Sequence, residues 1–322
     1  MKITSYMGIM VFAALSILAA APARADFPTR PIRLVVVYGP GGANDIIARM
    51  IGAKMAEILG QPVVIENKPG ANGMIGAQHV AKSAPDGYTL LVGGAPLTVV
   101  KALFKAPLID ATKDFAPIGK MVDIPIMLVA SKDLPIDTFP QLLKESKAEP
   151  DRFSMAVTSP VYGLDLERLN AETGMAIRRV DYRGISEAIT DVSQGRVDLL
   201  LDTIGGQMPY VKAQRTKILA VLSESRQPNL PDVPTMQELG FKGFIDTPFI
   251  GLLAPAGTPA NIIAKLSSTM TQAVESDEVK QKLAAMEGFV PAPSGAADFG
   301  AYLEAGIERN NEIARRANIQ KQ

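Results

Sequence analysis

Residues 33–54 read RLVVVYGPGGANDIIARMIGAK, and this stretch decides the fold. Leu34 to Val37 form an unbroken aliphatic run, as a strand buried on both faces does. Gly39, Pro40, Gly41 and Gly42 then break the pattern, and Ile46, Ile47, Met50 and Ile51 return at helical spacing. A strand that opens through glycines into a helix start holds anions, because backbone N–H groups and the helix dipole both face the loop. Tyr38, Gly41, Gly42, Ala43, Asn44 and Asp45 are therefore candidate ligand contacts. Asn44 and Asp45 have a second reading, in which they only satisfy free N–H groups of the first turn.

The same alternation continues outward. PVVIEN (62–67) and YTLLVG (88–93) read as strands, with helices near 44–59 and 71–83 and turns at LGQP, KPGANG and APDGY. A second block begins at PIMLVAS (125–131) and runs through RFSMAV, AIRRVDY, VDLLLDT and KILAVLS. Between them DFAPIGKMVDIP reads as a strand connecting two domains. TPFIGLLAP (247–255) is another strand, and helices are expected near 258–275, 277–288 and 295–317. One strand and three helices have little to pack on alone, so the chain is expected to return to the first domain. The fold class is α/β with parallel-rich sheets in two lobes, 26–124 with 247–322 and 125–246, separated by a cleft beyond the strand ends.

The N-terminus bounds the setting. Residues 1–25 carry Lys2, a long apolar run and Ala23-Arg24-Ala25, the pattern of an export signal cleaved after Ala25. Its removal leaves 297 residues with 31 basic and 33 acidic side chains, a net charge of −2. Such a balance offers nothing to nucleic acid or to an anionic membrane surface. No cysteine occurs, and a chain of this length can rest on its core without disulfides.

The inventory is poor in catalytic groups. His79 is the single histidine and lies in the helical run IGAQHVAKSA, so soft-ligand metal sites and cysteine nucleophiles are excluded, and no metal or cofactor is expected. GPGGAND is not G-x-G-x-x-G and lacks the lysine of a P-loop. Binding remains. In the second block Val157 ends a strand before Thr158, Ser159 and Pro160, which makes Ser159 a helix cap and, with Thr158, a candidate contact across the cleft. The strand ends at 93–97 and 200–206 add Ala95, Asp202 and Thr203, and Tyr162, Tyr182 and Phe249 are candidate walls.

PTRPIRLVVVYGPGGANDIIAR, LGQPVVIENKPGANGMIGAQHVAKSAPDGYTLL, RVDYRGISEAITDVSQGRVDLL, LPDVPTMQELG and LLAPAGTP resemble, in order and spacing, the signature blocks of the Bug receptors, the extracytoplasmic solute receptors of tripartite tricarboxylate transporters. The resemblance implies a hinged two-lobed periplasmic binding protein of type II, here expected to be a monomer. It would deliver a small carboxylate to membrane transporter subunits. It also implies a ligand held by backbone N–H groups of two loops, 38–45 and 157–160. Two departures stand out: Val157 to Pro160 replace a glycine- and serine-rich loop, and Tyr38 replaces a phenylalanine while no tryptophan lies near Phe249. Two rival readings are a receptor that signals to a sensor kinase and a hydrolase or isomerase built on paired carboxylates.

Overall fold

The computed structural model describes residues 26–321, so the export signal expected at 1–25 lies outside the described residues. From Ile32 the chain lays down β1 (Ile32–Val36), α1 (Ala43–Leu59), β2 (Val63–Asn67), α2 (Met74–Ala81), β3 (Thr89–Gly94), α3 (Pro96–Leu103) and β4 (Phe115–Asp123). It then crosses to β5 (Ile126–Ser131), α4 (Phe139–Ala148), β6 (Ser154–Val157), α5 (Pro160–Thr173), β7 (Arg178–Asp181), α6 (Ile185–Ser193), β8 (Leu199–Thr203), α7 (Ile204–Lys212) and β9 (Thr216–Val221). It returns through β10 (Phe249–Pro255), α8 (Ala260–Glu275), α9 (Asp277–Ala284), β11 (Val290–Pro291) and α10 (Ala296–Arg316).

Two sheets result. The first runs β11-β4-β10-β3-β1-β2 and the second β7-β6-β8-β5-β9. β1 is parallel to β2 and β3, as the βαβ alternation requires. The returning β10 is buried along its whole length and inserts antiparallel between β3 and β4. In the second sheet β5 runs antiparallel to both neighbours. Both sheets are therefore mixed rather than simply parallel-rich, because aliphatic runs reveal burial and say nothing of strand direction. The stretch 114–125, read as a connector, is mostly β4 itself, and only its end crosses between sheets.

The two crossings lie side by side: Ile124 N–H donates to the Pro248 carbonyl at 2.7 Å, and Ile204 N–H donates to the Pro125 carbonyl at 3.1 Å. Apolar contact between the lobes adds to this. Val99, Ala102 and Leu103 of α3 share a buried cluster with Leu164 of α5 and Ala314 of α10. Among the described residues no helix is long and apolar enough to cross a membrane.

The first sheet leaves no slack under α10. A methyl group added at Gly251 of β10 would run into the fully buried Phe299 ring. Gly251→Val is therefore expected to cost about 1–3 kcal/mol by overpacking. Chemical denaturation checks this, and an unchanged midpoint would show that α10 can shift to make room.

Candidate functional site

The first loop is organised from below by one carboxylate. Asp45 is 3% exposed, in the first turn of α1. Its Oδ2 accepts the Gly41 N–H at 2.9 Å, and both oxygens accept from Arg49, each at 2.9 Å. Asn67, at the end of β2, donates to Asp45 Oδ1 at 2.9 Å and to the Tyr38 carbonyl at 3.0 Å. The Arg49 bonds, with those from Gly41 and Asn67, hold the Asp45 carboxyl down to about 2 despite its burial. Gly41 meanwhile takes φ +83°, a left-handed turn that glycine adopts without strain. Gly42 is the N-cap in extended conformation, and no side chain caps the helix. The N–H groups of Ala43, Asn44 and Asp45 consequently have no hydrogen-bond partner among the described residues.

Beside this loop, a cavity of about 200 Å³ lies between the lobes. Tyr38, Asn72, Pro96 and Val99 wall it from the first lobe, and Ser159, Pro160 and Val161 from the second. Three helix starts thus meet there: α2 through Met74, α3 through Pro96 and α5 through Pro160. Their dipoles place partial positive charge around a space that no lysine, arginine or histidine lines. A second, water-sized cavity shares the walls Val99 and Val161 and is bordered by Ala95, Asp165, Asp246 and Phe249. Burial and the facing Asp246 push the Asp165 carboxyl well above the usual range.

A family model described as Tripartite tricarboxylate transporter family receptor matches residues 47–319. The chain belongs to this family. It is 33% identical to Protein BugT of Bordetella pertussis over 301 residues, 92% of each chain. Among solved structures, it is similar to R. palustris Rpa4515 with adipate, at TM-score 0.78 and 31% identity over 92% of this chain and 100% of the other. It is likewise similar to MatC (Rpa3494) from Rhodopseudomonas palustris with bound malate, at 0.72 and 31% over 89% and 100%. The fold is the two-lobed α/β fold of periplasmic binding proteins, to which BugD, at TM-score 0.75 and 30% identity over 92% and 100%, also belongs.

In this receptor the residues expected to touch ligand fall into three groups. Tyr38 and Ser159 face one another across the larger cavity, while Ala95 and Phe249 border the smaller one. Gly41, Gly42 and Ala43 are exposed at the loop surface and Asn44 is buried behind them. Ser159 accepts the Tyr162 N–H at 3.4 Å, so it caps α5 and lines the cavity at once. The half-buried Thr158 precedes it. Burial raises Tyr162 well above its ordinary value, with Asp202, Asp246, Asp165 and Tyr38 close enough to add to the shift.

Ten of the fourteen expected residues line neither cavity, the loop Gly41 to Asp45 among them, and three of the ten have side chains committed elsewhere. Tyr182 donates its hydroxyl to Asp191 Oδ2 at 2.7 Å, drawn to its own lobe by an acid that Arg196 also binds. Asp202 accepts from Gln207 at 2.8 Å, and Thr203 caps α7 by accepting the Gly206 N–H at 3.3 Å. Asp45 too is spent on loop architecture, accepting from Gly41 ahead of the helix and not from the first-turn N–H groups that the capping reading assigned to it. Conversely Ala71, Asn72 and Met74 form a wall where the sequence reading placed only a turn and helix packing. The signal lay in KPGANG: Ala71 and Asn72 hold φ of 46° and 52°, the strained backbone that marks functional loops. His79 sits half-buried on α2.

Because the folded Asp45 titrates near 2 and an unfolded aspartate near about 3.9, its stabilisation is complete above the latter and lost as pH falls through the former. Asp45→Asn should lower the thermal midpoint at pH 7, with the gap to wild type closing between pH 5 and pH 2. A gap that stays constant over that range would remove the charge from the account.

Proposed function

We propose that this chain captures a small organic carboxylate between its lobes and passes it to the membrane subunits of a tripartite tricarboxylate transporter. Export with cleavage after Ala25 places it in the periplasm on this reading. The units that move are 26–124 with 247–322 and 125–246, hinged where Ile124 meets Pro248.

One observation carries the binding reading. Tyr38, which leads into the uncapped start of α1, walls an interlobe cavity that three further helix N-termini reach and that no cationic side chain lines. Relatives of the same architecture hold adipate and malate, both carboxylates. A ligand that reaches α1 and α5 together binds only when the lobes meet, so its binding energy shifts the population toward closure. No bond needs to be made or broken.

Gly42→Asp tests the reading directly. The position is extended and open, with only the Gly39 carbonyl near an added Cβ, so the aspartate fits and caps α1 from within. Calorimetry of the mature chain should show affinity for its tightest binder among hexanoate, benzoate, adipate and malate falling at least tenfold. The ligand-free melting midpoint should hold or rise. Undiminished affinity would take α1 out of the site.

A further inference from the structure

We propose, resting on the receptor reading above, that the ligand of this chain is a monocarboxylate with an apolar body, aliphatic or aromatic, and not a di- or tricarboxylate. The carboxylate sits on the start of α1 and the body fills the interlobe cavity.

The distribution of hydrogen-bond donors points to this. At α2 the early N–H groups are already used, since Met74 donates to the Ala71 carbonyl and Ile75 to the Gly70 carbonyl. Pro96 opens α3 and Pro160 opens α5, and a proline has no N–H to give. Next in α5, Tyr162 N–H goes to Ser159 Oγ and Gly163 N–H to the Ser159 carbonyl. Among the residues lining the cavity these three helices leave one free backbone N–H, that of Val161 on α5. Of α1, α2, α3 and α5, only α1 keeps a whole uncapped first turn. The first lobe can hold a carboxylate, and the second is poorly equipped to hold another.

The walls agree. Met74, Val99, Val100, Leu103, Phe104 and Val161 make most of the cavity surface, against the polar ends of Tyr38, Asn72 and Ser159. Its volume of about 200 Å³ exceeds the roughly 150 Å³ in which an apolar cavity accepts a benzene ring. Beyond Val99 and Val161 stand Asp165 and Asp246, with Arg309 and Asn310 on the same small cavity. That end already sets two acids against the guanidinium of Arg309, so a second anionic group there would compete with Asp165 and Asp246 for it.

Calorimetry of the mature chain separates the outcomes. Hexanoate and benzoate should each bind at least tenfold more tightly than adipate and malate, and affinity should rise roughly fourfold per methylene from butanoate to hexanoate. Adipate or malate binding as tightly as hexanoate would overturn the inference and leave the receptor reading standing. Failure of all these acids to bind would instead sink the receptor reading. Pro160→Ala gives an independent arm, because it returns a donor to α5 without touching the first loop. It should raise adipate affinity about tenfold relative to hexanoate, the strength of one charge-assisted hydrogen bond. An unmoved adipate-to-hexanoate ratio would count against the inference, since the missing donor would then not be what excludes the second carboxylate.

Discussion

The first loop depends on a buried negative charge in the first turn of α1, the helix start proposed to take the ligand's carboxylate. That arrangement works because Arg49, one turn further along α1, binds both oxygens of Asp45 from the solvent side and cancels the charge. Once neutralised, the carboxylate serves as an acceptor. It fixes the left-handed turn at Gly41 and, through Asn67, ties the loop to the end of β2. The loop is thereby rigid before any ligand arrives, and its unpartnered N–H groups need no ordering when one does. An N-cap side chain at position 42 would have spent those groups internally, which gives the glycine there a chemical reason as well as a conformational one.

β1, β3, β5, β8 and β10 were legible because they are buried along nearly their whole length and read as aliphatic runs, and the loops were legible where glycine and proline interrupt those runs. Strand sense was not, since Phe249–Pro255 looks the same whether it enters a sheet parallel or antiparallel. β11 escaped notice because two residues on a sheet edge carry no period. At the candidate site, loop 38–45 announced itself through its glycines and Ser159 through the proline after it. Val99, Leu103 and Val161 did not, because an apolar helix residue facing a cleft has the same spacing as one facing a core. Tyr182 failed for the opposite reason: a tyrosine at a strand end is eligible for the cleft, but its hydroxyl went to Asp191 of the following helix α6.

Closure follows from how the lobes already touch. The apolar cluster of Val99, Ala102 and Leu103 with Leu164 and Ala314 removes oily surface from water without ligand. An exposed ion pair, Lys212 with Glu287 at 2.6 Å, adds direction more than strength. Asp165 works against both. It carries a carboxyl into the same interlobe region, 7% exposed and facing Asp246. Burying two facing carboxylates together is costly even with Arg309 beside them, and the raised affinity of Asp165 for a proton is how the fold lowers that cost. The closed arrangement is thus favoured by apolar contact and opposed by an acid pair. A ligand shifts the population of closed lobes only by the difference in its affinity for the two states. An apolar body packed against Val99 and Val161 would act at the junction of these opposing terms, adding contact on the favourable side of the wall and keeping its own charge away from the acids behind it.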